Sequence, residues 1–293
     1  MIRKAFLFAA LPLLIAVGCS SPSLDDVTVW VDPFIGTAAH GHTFPGAATP
    51  FGMVQLSPDN GTSGWDWCSG YHWSDSVIAG FSHTHLSGTG IGDLCDILFL
   101  PSMHEFTLEL PDSTASLAKI NRSLFSHEAE QARPGYYAVA LANGVNAELT
   151  VTPRTGIQRY TAVGAGTMYV LVDLGFAINW DRPAACSLRW NGSALSGMRI
   201  SQGWAERQYQ YFWSLFSLTP DSVVMLNAGI PAGDTAVSGR NIAAILAFDV
   251  QQGDELLIRT GISAVDEAGA SGNLKAESEG RDFNAAAAAA RQA

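Results

Sequence analysis

The chain has 293 residues, of which 47% are hydrophobic and only 15% charged, a balance that supports a packed core and excludes a disordered protein. The formal net charge is −11, which repels nucleic acid and anionic membrane surfaces and leaves neutral substrates such as sugars open. Aromatic residues make up 10%, with eight Trp, a supply that suits stacking on sugars and equally suits a sandwich core.

Residues 1–18 read as an export signal. Arg3 and Lys4 precede an apolar run from Ala5 to Val17, too short to span a bilayer comfortably. The run ends in Ala16-Val17-Gly18-Cys19. Small residues before a Cys resemble a bacterial lipobox, in which the Cys19 thiol receives lipid after cleavage. The alternative is an ordinary cleaved signal that happens to contain a Cys. Residues 19–29 then form a lipidated Cys and a tether. Ser20, Ser21, Pro22 and Ser23 supply flexibility, and Asp25 and Asp26 resemble the acidic export signals of surface lipoproteins. The expected location is the outer membrane or cell surface of a Gram-negative bacterium, alternatively the periplasm, with membrane contact only through the lipid. Loss of residues 1–18 removes two cations and no acid, leaving a charge of about −13. Cys68, Cys95 and Cys186 remain, with no Cys-x-x-Cys. An odd count implies neither a disulfide framework nor a zinc knuckle, although an oxidising compartment permits a Cys68–Cys95 bridge.

Residues 32–101 are rich in Gly, Pro, His and aromatics and show little periodicity. All seven His lie between positions 40 and 127. Loop-rich sequence beside a regular scaffold is where binding groups collect. Trp65-Asp66-Trp67 sets a carboxylate between two indoles. An indole face stacks on the C–H side of a pyranose while a carboxylate accepts from its hydroxyls. The same triplet also fits two core Trp flanking a turn Asp. His83-Thr84-His85 puts two imidazoles on one face of an extended segment. With Asp93 or Asp96 they could ligate a metal, but no standard zinc spacing supplies the rest. Otherwise they bond to backbone in a Gly-rich corner. Asp66, Asp75, Asp93, Asp96 and Glu105 are the carboxylates from which a glycosidase pair could be drawn. An inverting pair stands roughly 6.5–9.5 Å apart, a spacing that sequence does not fix. Gly88-Thr89-Gly90-Ile91-Gly92 lacks dinucleotide spacing, and no Gly-x-Ser-x-Gly elbow or P-loop occurs.

From 136 to 262 the texture changes to short alternating or β-branched runs. Strands are expected over 136–141, 148–152, 168–174, 188–190, 195–200, 208–218, 223–226, 242–250 and 256–262. Asn143-Gly144 and Asn191-Gly192 mark hairpins. Many strands with short turns indicate an all-β, antiparallel β-sandwich. At the end, Asp282-Phe283-Asn284 precedes six Ala. Asp282 is placed to cap a helix there. An isolated helix this short is marginal in water, so residues 277–293 are expected to begin a linker helix that the chain truncates.

The order Val31-Asp32-Pro33-Phe34-Ile35-Gly36-Thr37, Thr43-Phe44-Pro45-Gly46-Ala47, Pro50-Phe51-Gly52-Met53, Gly64-Trp65-Asp66-Trp67-Cys68-Ser69-Gly70-Tyr71-His72 and Gly80-Phe81-Ser82-His83-Thr84-His85-Leu86-Ser87-Gly88 closely resembles the N-terminal domain of glycoside hydrolase family 92. These are calcium-dependent exo-α-mannosidases. The resemblance implies a β-sandwich over residues 30–276 packed on a C-terminal (α/α)6 barrel, with a mannose pocket between them. It implies cleavage of terminal α-linked mannose with inversion, on glycans or mannans, α-1,2-linked substrates being expected. The family's acid, base and most calcium ligands lie in the barrel, so no catalytic residue and no metal ligand is expected in this chain. The sandwich side of the pocket is assigned to Phe44, Pro45, Gly46, Trp65, Asp66 and Trp67. Trp65 or Trp67 would wall the sugar, and Asp66 would accept its hydroxyls. His83 and His85 would brace the loop from behind. The alternative function is a non-catalytic carbohydrate-binding module on a surface lipoprotein.

Overall fold

The structure, a computed structural model, describes residues 26–293. The signal-peptide reading and the lipidation of Cys19 lie outside the described residues. The strands, in chain order, are β1 (Ala47–Ala48), β2 (Gln55–Asp59), β3 (Val77–Ile78), β4 (Gly80–Ser82), β5 (Leu98–Ser102), β6 (Ser123–Arg133), β7 (Tyr136–Leu141), β8 (Val145–Val151) and β9 (Thr155–Ala162). They continue as β10 (Gly166–Asp173), β11 (Arg182–Trp190), β12 (Ala194–Gln202), β13 (Gln208–Phe216), β14 (Ser222–Asn227), β15 (Ile230–Gly233), β16 (Ala236–Gly239), β17 (Ile242–Val250) and β18 (Glu255–Ser263). Three helices join them: α1 (Leu117–Ile120), α2 (Glu267–Ser278) and α3 (Phe283–Gln292).

The strands form two antiparallel sheets. One runs β1-β2-β4-β5-β10-β17-β14-β15, the other β16-β11-β12-β13-β18-β9-β8-β7-β6-β3. Side-chain alternation explains how they face each other. On β10, Met168, Val170 and Val172 enter the core between the sheets, while Leu171 points to the other face. On β17, Ile242, Ala244, Leu246, Phe248 and Val250 enter the same core, and Ala243 faces away. Both faces of this sheet are therefore covered. The outer face carries Leu98, Leu100, Leu171, Phe176 and Leu226 under α1, with Phe106 and Leu108 packed on it. This is why β17 reads as a continuous apolar run rather than an alternating one.

The C-terminal helices dock on the larger sheet. Asp266 accepts from Gly269 N to start α2, and Asp282 accepts from Ala285 N to start α3. The last strand closes at Ser263, so α2 straddles position 276, where sequence reading drew the sandwich boundary. The alanine run is not an isolated helix. Phe283, Ala286 and Ala290 are buried, with Phe283 and Ala286 packing against Tyr136 and Ile157. Small side chains let the helix come close: at Gly135, left-handed at φ +73°, an added Cβ would lie 2.6 Å from the Ala290 methyl. Tertiary packing thus supplies what helix length does not. Arg291 reaches back to Asp26 at 2.8 Å and Thr28 at 3.0 Å.

An ion cluster centred on an arginine sits inside. Arg199 on β12 is fully buried. It donates to Asp96 and, at 2.6 Å, to Asp181, and also to the carbonyls of Leu174 and Phe176. Burial pushes the Asp181 carboxyl up to about 6, against the pull of Arg199. Removing one partner of such a cluster strands the others without counter-charge. Arg199→Met should therefore cost about 3–5 kcal/mol, measured by urea denaturation. A loss below about 1 kcal/mol would show that the cluster is not holding the sheets.

Candidate functional site

The sequence-singled residues gather at the loops preceding β1 and between β2 and β5. Trp65-Asp66-Trp67 forms a single 3₁₀ turn, and this turn splits the triplet. The Trp65 ring stays 53% exposed, its indole N–H donating to the Gly90 carbonyl at 3.0 Å. Trp67 turns the other way. Its N–H donates to Asp75 at 3.0 Å and its ring lies 5.0 Å from that of His72. Of the two indoles, Trp65 is the one free to receive a ligand ring.

Asp66 faces two histidines that sequence reading counted but did not single out. His40 Nδ1 donates to Asp66 Oδ1 at 2.6 Å, and His42 Nε2 lies 3.7 Å from the same oxygen. The His40 hydrogen bond, first among the causes, holds Asp66 below the usual carboxylate range. His42 packs edge-on to Trp65, centroids 4.2 Å apart, and His40 lies 5.1 Å from that ring. The His42 ring is buried, and its Nε2 has no hydrogen-bond partner, with Asp66 Oδ1 3.7 Å away as its facing charge. The signal available in sequence was the His40-x-His42 pair inside the His-rich stretch.

The loop of residues 86–92 backs this cluster. Gly88 N donates to the His42 carbonyl at 2.6 Å. Gly90 is left-handed at φ +67°, and a Cβ there would lie 3.1 Å from Trp65 Nε1, so the Gly-rich motif serves close approach rather than a phosphate. A cavity of about 410 Å³, lined by Leu86, Thr89, Ile91, Asp93, Leu94 and Trp204, opens beside the same loop. The Phe44 ring lies 5.1 Å from that of His85, and Pro45 is buried. Gly46 fits against β2, where a Cβ would collide with the Leu56 carbonyl and Ser57.

The histidines of His83-Thr84-His85 each bond to a backbone carbonyl. His83 Nδ1 donates to Ile97 O and His85 Nδ1 to Gln55 O, both at 2.8 Å. A metal shared with Asp93 or Asp96 is ruled out by where those carboxylates go. Asp96 pairs with Arg199 and Thr84, and Asp93 accepts from Trp204 N and Gln208. The disulfide that an exported chain permits does not form either: Cys68, Cys95 and Cys186 are all free and buried.

Two groups of side chains among the described residues bring ligand atoms within 4.8 Å of one another: His40, His42 and Asp66, and Asp59, His85 and Cys95. Calcium takes six to eight oxygens. Neither group offers more than one carboxylate, so neither by itself fits calcium.

An antiparallel sandwich that presents an exposed indole beside a carboxylate from loops at one edge has the form of a carbohydrate-handling domain. The chain belongs to glycosyl hydrolase family 92: residues 30–263 match the family's N-terminal domain. A family α-mannosidase from Bacteroides thetaiotaomicron, solved with mannoimidazole, superposes with a TM-score of 0.85 at 34% identity over 92% of this chain. An inverting family mannosidase from the same organism gives 0.77 at 27% over 93%. An uncharacterized secreted glycosidase of Arthroderma benhamiae is 38% identical over 178 residues, 56% of this chain. The chain spans 36% of each of those two solved mannosidases and 22% of the glycosidase.

Buried His83 supplies a pH test. Desolvation lowers its pKa from the ordinary 6.5 to about 4. Between those values the unfolded chain binds the proton and the folded one does not, so stability falls as pH falls through 6.5. The parent's stability relative to His83→Gln should shrink by roughly 2 kcal/mol between pH 7.5 and pH 5, read by urea denaturation at both values. A difference that does not move with pH would place His83 outside this titration. Asp181 titrates with the opposite sign in an overlapping window, but it is common to both proteins and cancels.

Proposed function

We propose that this chain is the sandwich half of an exo-acting, inverting α-mannosidase with α-1,2-type substrates in glycans or mannans. Trp65 walls the terminal mannose and Asp66, oriented by His40, accepts hydroxyl hydrogen bonds. Phe44, Pro45 and Gly46 shape the adjoining wall. The observation that carries this is the half-exposed Trp65 beside the Asp66–His40–His42 cluster, on a domain like that of a mannosidase solved with mannoimidazole. The general acid, the general base and most of the calcium ligands belong to the helical barrel that the family resemblance implies.

A second observation supports a partner domain. Val27, Trp30, Val31, Ile35, Phe51 and Met53 are exposed, Trp30 by 81% and Phe51 fully. So many exposed apolar side chains within the one sequence segment that also carries His40 and His42 fit a surface that a partner covers, and the barrel is its proposed cover. Secretion and a lipid at Cys19 remain part of the proposal. Among the described residues no helix is long and apolar enough to cross a membrane.

In the enzyme with its helical domain, Trp65→Ala and Asp66→Asn should each lower kcat/KM on α-mannosides by about 10- to 100-fold, with little change in Tm. Variants that only unfold the protein would return both residues to packing. The 293-residue chain alone should show no turnover of aryl mannosides, and turnover by it would overturn the division of labour. Calorimetric binding of mannose oligomers to a chain that never gains activity with the helical domain present would favour the binding module.

A further inference from the structure

Asp59, His85 and Cys95 are a fully buried trio outside the proposed sugar wall. Asp59 closes β2, whereas His85 and Cys95 come from the connection between β4 and β5. None is more than 4% exposed. Their ligand atoms lie within 4.8 Å of one another.

The hydrogen bonds around them fix what each atom can do. His85 Nδ1 donates to the Gln55 carbonyl at 2.8 Å, so in the neutral ring Nε2 carries a lone pair. That lone pair faces Asp59 Oδ1 at 3.2 Å, with Ser82 Oγ 3.3 Å away. Two electron-rich atoms at that distance repel unless a proton or a cation lies between them. The other Asp59 oxygen is held by Ser82 N at 3.1 Å. An imidazole anchored by its far nitrogen to a carbonyl, beside a carboxylate anchored by its far oxygen, is the outer arrangement that metal ligands show. Two ligands about 2.0–2.1 Å from a tetrahedral ion stand roughly 3.3 Å apart, close to the observed 3.2 Å.

We propose that Asp59, His85 and Cys95 form a structural site for a zinc-class divalent cation. The donor set is one nitrogen, one oxygen and one sulfur, which suits zinc and excludes calcium and magnesium. Charge balances: a dication, a carboxylate, a thiolate and a neutral imidazole sum to zero, the condition under which burial is cheapest. Binding releases the thiol proton of Cys95 to solvent. Without the ion, burial foremost and Asp59 beside it raise the Cys95 thiol well above its usual range, so the metal-free thiol stays protonated. The backbone is consistent with an imposed geometry. Leu94, Cys95 and Ile97 hold left-handed φ of +67°, +60° and +58°, each a cost for a side-chain-bearing residue. Asp59, His85 and Cys95 are all buried and Ser82 Oγ lies 3.3 Å from His85 Nε2, which leaves no path for a substrate, so the site is structural rather than catalytic. Its effect is to pin the connection that carries Gly88 and Gly90 under His42 and Trp65.

Cys95→Gly is the informative variant, because glycine accepts φ +60° without strain and the fold should survive. The full chain, stripped with chelator and reloaded, should take up one zinc by elemental analysis, and zinc at a hundredfold excess over Kd should raise Tm by roughly 5 °C. Cobalt loading should give a thiolate-to-metal charge-transfer band. Cys95→Gly should lose the band and the metal-dependent Tm shift. Metal held only by His40, His42 and Asp66 would give no thiolate band. A parent without the band or the shift, or a Cys95→Gly variant that keeps either, overturns the proposal in favour of a proton shared by His85 and Asp59.

Discussion

Arg199 links the core of the sandwich to its candidate site. Its guanidinium comes from β12 in the larger sheet and is spent on Asp96, which leads into β5 of the smaller one. Asp96 in turn accepts from Thr84 Oγ1 at 3.0 Å, while its own N–H donates back to that oxygen at 2.9 Å. Backbone bonds from His83 N to Asp96 O and from Cys95 N to Thr84 O complete the tie. The two ends of the connection between β4 and β5 are therefore zipped together over a buried charge. Such a charge cannot relax without exposing its partners, so the loop between the zipped ends has a fixed base.

What that loop carries is the back wall of the site. Gly88 and Gly90 take hold of His42 and Trp65 through their backbone groups, while Trp65 stays exposed and Asp66 partly so. Stacking surfaces contribute most when they are held rigid before a ligand arrives. Here the rigidity comes from the core, with the His40–Asp66 bond added among the exposed residues. The same domain leaves large apolar side chains, Trp30 and Phe51 among them, exposed. The site is thus one wall, well braced from behind and open in front.

The regular half of the fold was legible because its strands carry their own pattern. Residues 136–141 and 242–250 alternate or run apolar strongly enough that their bounds agree with β7 and β17, and both Asn-Gly turns fall between paired strands. β6 and β9 escaped for a physical reason. β6 is Ser-Leu-Phe-Ser-His-Glu-Ala-Glu-Gln-Ala-Arg, mostly polar because one face meets solvent, and its buried Glu130 is satisfied by Tyr71 and Tyr137. In β9, Gln158 is fully buried and bonded to Tyr160. Local polarity misleads where the fold buries a polar side chain beside aromatic hydroxyls, Tyr71 and Tyr137 on Glu130 and Tyr160 on Gln158. The alanine run was read correctly as helix. Its support was not legible, because the surface it meets, Tyr136 and Ile157, lies well over a hundred positions upstream.

By itself the sequence determined the sandwich class and the family, since these follow from periodicity, turn residues and ordered motifs that local chemistry writes into the chain. It named Trp65, Asp66 and Trp67 as equals. Only the tertiary structure separated them, because the direction a side chain takes from a 3₁₀ turn depends on which acceptor waits for it: Gly90 for Trp65, Asp75 for Trp67. The pairing of Asp66 with His40, of Asp96 with Arg199, and of Asp59 with His85 and Cys95 was likewise decided in three dimensions. Each joins residues 26 to 103 positions apart, and charge pairing over such separations leaves no trace in spacing.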